Sequence, residues 1–92
     1  MEFVHEKFGK CIIKDLTQKM LEDFHRDMRQ DLEVPLTVWR GDSVRSAAKH
    51  NILIEPEMDA EGVDNANPGY IVWLADCINK AIAEATNVDP LS

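Results

Sequence analysis

Asn67-Pro68 opens the widest apolar pattern in the chain, and a pattern that wide has to be buried. An asparagine side chain can accept from the first free helical N–H groups, and proline in the first turn gives up an N–H that has no partner anyway. At about 100° per residue, Tyr70, Ile71, Leu74, Ala75, Ile78, Ala81, Ile82 and Ala85 fall on one face. Trp73 and Cys77 widen it on one side, to roughly half the circumference. The spacing predicts a helix over 68–85 that is either the central helix of a small domain or one that also meets a partner. A chain of 92 residues buries only about 60–65% of its unfolded surface, so the core is thin and leaves little room for a deep cleft.

The remaining segments read as follows. Phe3 to Lys14 predicts a β-hairpin, with Gly9 as the residue that accepts positive φ. A helix over 17–31 follows, capped by Asp15 or Thr17, with Leu16, Met20, Leu21, Phe24 and Met28 on its apolar side. It should stop before Val34-Pro35, because a residue preceding proline disfavours the α region. Residues 33–41 are open: β-branched content favours an extended segment, and Pro35 in a first turn favours a helix. Asp42-Ser43 reads as the cap of a short helix over 43–50. Ile52 to Ile54 reads as an extended buried connection, 57–67 as a loop, and 87–92 as a frayed tail. The expected fold is α+β: a short N-terminal β-hairpin packed against about three α-helices in a single, helix-dominated domain. Its expected core is Leu16, Met20, Leu21, Phe24, Tyr70, Ile71, Leu74, Ile78 and Ile82.

The net charge is −7, and the last 34 residues hold one basic group, Lys80, against six acidic ones. Nucleic-acid binding needs clustered lysine and arginine to displace counterions, and no such cluster exists in this sequence. The acidity suits solubility first, then a basic partner or mimicry of nucleic acid. No stretch approaches the ~18 apolar residues of a membrane span, and the start Met1-Glu2-Phe3-Val4-His5-Glu6 lacks the pattern of a signal peptide. Cys11 and Cys77 each sit in an apolar pattern, which predicts buried reduced thiols and a cytoplasmic protein.

The residue types that carry chemistry are poorly arranged. His5, His25 and His50 lie on three different predicted elements without a second ligand at zinc spacing. The run Asp59 to Asp64 looks like a calcium loop, but Val63 and Asp64 fall where an oxygen ligand and a glycine are needed. Neither glycine-rich phosphate motif is present, and both cysteines read as core thiols rather than nucleophiles. Arg40-Gly41-Asp42-Ser43 spells an adhesion tetrapeptide, which the capping role of Asp42-Ser43 explains better. The expectation is therefore no catalytic residue, no cofactor and no metal. Partner binding is assigned to Trp39, Arg40, Val72 and Trp73: tryptophan and arginine anchor interfaces, Trp39 has no helical stripe to bury it, and Val72 lies outside the stripe of the last helix.

Three stretches resemble one family when taken in order. They are Glu2-Phe3-Val4-His5-Glu6-Lys7-Phe8-Gly9 running into Asp15-Leu16-Thr17-Gln18, then Val44-Arg45-Ser46-Ala47-Ala48-Lys49, then Val72-Trp73-Leu74-Ala75-Asp76-Cys77-Ile78-Asn79 with Glu84-Ala85-Thr86. Together they resemble the tail assembly chaperones, small proteins encoded in bacteriophage tail operons. The resemblance implies a non-enzymatic protein of the bacterial host cytoplasm. It would bind the tape-measure or tail-tube protein during assembly and could form a homo-oligomer. Two other readings stay open: an acidic inhibitor imitating nucleic acid, and a small structural or adaptor protein of a phage or prophage.

Overall fold

The computed structural model describes residues 1–28 and 35–87. β1 (Glu2–His5) and β2 (Gly9–Ile13) form the N-terminal hairpin, with Phe3 opposite Cys11 and Val4 opposite Lys10. Gly9 sits at φ +90°, where a side chain would be strained. His5 closes the turn, its Nδ1 accepting from the backbone N–H groups of Lys7 (3.0 Å) and Phe8 (3.3 Å). A third strand, β3 (Leu53–Glu55), pairs antiparallel with β2, so the sheet order is β1-β2-β3. The expected buried connection at 52–54 is thus a sheet strand. Within it Ile52 and Leu53 are buried, whereas Ile54 is 51% exposed, a correction to the expectation for that residue.

α1 (Gln18–Asp27) is capped by Thr17, whose hydroxyl accepts from the Met20 N–H. It ends earlier than residue 31: Met28 leaves helical geometry and returns its N–H to Phe24 and Arg26. The stretch from 29 to 34, with the start of the open segment 33–41, lies outside the described residues, as does the expected tail after Asn87. α2 (Leu36–Lys49) replaces the short helix expected over 43–50. Pro35 precedes its first residue with φ −57°, already set for a helix, so Asp42 and Ser43 lie mid-helix and cap nothing. Thr37 and Val38 are therefore helical despite their β-branching, which lowers helix propensity only slightly. At the other end, Asn51 adopts φ 59°, with Ile52 N–H on the Ala47 carbonyl (2.8 Å) and Asn51 N–H on that of Ala48 (3.3 Å). That is a Schellman motif, and it turns the chain directly into β3.

The expected loop at 57–67 holds α3 (Ala60–Asn65), capped by Asp59 through the Gly62 N–H (2.7 Å). α4 (Pro68–Thr86) matches the predicted last helix, with Asn67 accepting from Gly69 and Tyr70 N–H groups. Ile71, Leu74, Ala75, Cys77, Ile78 and Ala81 of α4 are buried against Val44 and Ala47 of α2 and Cys11 and Ile13 of β2. Leu21 and Phe24 are buried as expected, whereas Leu16, Met20, Tyr70 and Ile82 are only half-buried at the margin. Ala85, placed on the apolar stripe by its spacing, is exposed. The arrangement is α+β, a three-stranded antiparallel sheet and helices around one core.

Candidate partner-binding cleft

α2, α3 and the start of α4 enclose a cleft of about 270 Å³. Its floor is Val63 and Ile71, both buried, and its rim carries Arg40, half-buried, and Val72, 37% exposed. One wall is Arg45. Its Nη1 lies 2.8 Å from Asp42 Oδ1, and its Nη2 pairs with Asp64 Oδ1. The guanidinium crosses Gly41, where an added Cβ would stand 3.1 Å from Nη1. Glycine in a helix interior costs roughly 0.5–1 kcal/mol relative to alanine, and here it lets Arg45 lie flat and tie α2 to α3.

Of the four residues assigned to partner binding, Arg40 and Val72 meet at this cleft. Trp39 and Trp73 do not line it. Trp39 belongs to α2, contrary to its reading as a residue without a helix, and packs half-buried against the core. Trp73 stands in a group of four rings that fastens the hairpin to α4. Its centroid is 5.4 Å from His5, 5.9 Å from Phe8 and 6.2 Å from Tyr70. Phe8 and Tyr70 stack at 5.3 Å with 11° between their planes.

A wider groove of about 640 Å³ between α2 and the start of α3 reaches Asp27 and Ser46. Asp27 Oδ2 accepts from Ser46 Oγ (3.0 Å) and lies 2.7 Å from His50 Nε2 and 3.9 Å from Lys49 Nζ. A carboxylate only accepts, so His50 Nε2 carries the proton of that bond. The Asp27 carboxyl is held below its ordinary value, first by the His50 hydrogen bond and then by that of Ser46. The residue types are those of a serine hydrolase, but the order is wrong: the histidine must stand between nucleophile and acid to take the serine proton. Here both partners attach to the acid, and Ser46 is buried. The cluster clamps α1 to α2. Sequence reading missed it because Ser46 and His50 share one helix face but Asp27 arrives from another helix.

Cys11 and Cys77 are both buried free thiols. Burial, followed by the neighbouring Cys77, pushes the Cys11 thiol up to about 12, so it is not a nucleophile at neutral pH. Among the described residues no group of three or more His, Cys, Asp or Glu side chains is placed to hold a metal ion. No described helix is long and apolar enough to cross a membrane. In comparisons with protein-family models, curated proteins and solved structures, none matches this chain.

Proposed function

We propose that this chain is a non-enzymatic assembly protein that binds another protein at the α2–α4 cleft. The observation that carries the reading is the meeting of Arg40 and Val72 over the apolar floor of Val63 and Ile71. At about 270 Å³ the cleft falls below the roughly 300–1,000 Å³ of small-molecule pockets and suits one anchoring apolar side chain, with Arg40 at its edge. The resemblance to tail assembly chaperones supplies the partner: the tape-measure or tail-tube protein of a phage, bound in the host cytoplasm.

Mimicry of nucleic acid fits less well, because a mimic lines its carboxylates along one face, and here Asp59, Glu61 and Asp64 belong to the cap and body of α3 while Asp76 and Glu84 belong to α4.

The test is co-expression with the tape-measure or tail-tube protein encoded beside this chain, followed by co-purification. Val72→Asp should abolish capture with the melting temperature unchanged, and Arg40→Ala should weaken it. An apolar interface should also survive about 0.5 M salt, where charge-held mimicry releases. Capture that ignores both variants and vanishes with salt would replace this reading with the mimic.

A further inference from the structure

Tyr70 and Val72 stand about 200° apart around α4, so the aromatic side of that helix faces a different surface from the cleft. There, β2, β3 and the first turn of α4 border an open groove of about 560 Å³. Phe8, Tyr70, Ile54 and Pro56 form its apolar lining, and Glu55 and Glu57 add two carboxylates. Ile54 keeps 51% of its surface in water. β3 also forms an edge of the sheet, with β2 as its strand neighbour among the described residues.

The charges decide what such a surface takes. Glu55 and Glu57 have no cation within ion-pair distance among the described residues. Lys10, the basic residue in the lining, pairs with Glu2 at 3.5 Å. Glu55 and Tyr70 line the same groove, and the Tyr70 phenol is raised, chiefly by burial and then by the neighbouring Cys11 and Glu55. An anion is therefore repelled locally, and the net charge of −7 repels it at long range. A cage for a methylated ammonium needs several ring faces turned to the cation, and this groove is lined by two rings, Phe8 and Tyr70, each with one face turned to the other.

We propose that this groove docks an extended, arginine-bearing segment of a partner protein. The guanidinium pairs with Glu55 and Glu57, while its methylene stem and an apolar neighbour lie along Phe8, Tyr70 and Ile54. Arginine fits better than lysine because its planar fork pairs with carboxylates at two points, whereas an ammonium is a single point charge. The edge position of β3 favours an extended segment, since backbone groups there can pair with an added strand.

The test is fluorescence anisotropy with the full chain and a short labelled peptide of arginine, leucine and proline. Binding should weaken at least tenfold when citrulline replaces arginine, and equally in the Glu55→Gln/Glu57→Gln double variant. Ile54→Ser should weaken it too, and Val72→Asp should leave it intact, which separates this groove from the cleft. Melting curves on each variant check the fold; both glutamates and Ile54 are exposed, so these should coincide with wild type. Wild-type affinity in the double glutamine variant, equal binding of the citrulline peptide, or no binding by the wild-type chain would overturn the proposal.

Discussion

Ser46 Oγ donates a hydrogen bond to Asp27 Oδ2 at 3.0 Å, across 19 residues of sequence and between two helices. His50, one turn further along α2, reaches the same carboxylate oxygen at 2.7 Å. Two donors, one from α2 and one from its C-cap, meet on one oxygen of α1 and make this carboxylate a polar tie between the two helices. The acid is the hub, which is why the cluster holds structure and does not transfer a proton from serine to histidine.

This tie has a pH signature. The folded pKa of Asp27 lies below its unfolded value of about 3.8. Its contribution to stability is therefore fully present above that value and is lost as pH falls through the lower, folded pKa. Asp27→Asn should destabilise the protein at neutral pH, and the difference from wild type should shrink below about pH 4. Urea melts of both proteins between pH 2 and 7 check this. A difference that stays constant across the range would contradict the clamp.

Ser43 lies fully buried on α2 with no hydrogen-bond partner for Oγ among the described residues. A buried unsatisfied hydroxyl carries a desolvation penalty of about 1–3 kcal/mol. Ser43→Ala should consequently stabilise the fold by about 1 kcal/mol once the small void is allowed for. Chemical denaturation gives the value, and a clear loss of stability would reveal a partner for Oγ.

Trp73 should behave as a structural residue, because its ring joins His5, Phe8 and Tyr70 and so fastens the hairpin to α4. Trp73→Ala should cost about 3 kcal/mol, and Ile78→Ala, at the centre of the core, about 2–5 kcal/mol. Val72→Asp, on the rim of the cleft, should leave the melting temperature nearly unchanged. A Trp73→Ala protein as stable as wild type would return this tryptophan to the interface.

Both thiols should resist modification in the native state. Cys11 is wholly buried and its thiol is pushed up to about 12. Thiolate is the reactive form, so both burial and the raised pKa protect it. A disulfide-exchange reagent should react with neither Cys11 nor Cys77 until denaturant is added, after which both should react. Rapid labelling of the native protein would show that the β2–α4 seam opens.

The readable parts of this fold are those set by neighbours within one helical turn. Thr17 and Asn67 each reach an N–H two or three residues on, Gly9 takes positive φ by itself, and the stripe of α4 repeats at the helical period. The second half of α2 is legible as a helix, but its first turns stay open because Gly41 is the one buried residue from Leu36 to Asp42. Small and polar side chains carry little hydrophobic periodicity, yet they are what lets one helix approach another closely. α3 escaped because six residues with Val63 alone buried leave no period to detect. The clamp on Asp27 and the tie from Arg45 to Asp64 join residues 19 to 23 apart in sequence. Tertiary packing alone brings those groups together, and it also divided the four expected binding residues. Arg40 and Val72 went to a shared cleft, while Trp39 and Trp73 went to the core and its aromatic margin. Side-chain type marks a residue as able to anchor a partner. Whether it does depends on which neighbours the packed helices leave beside it.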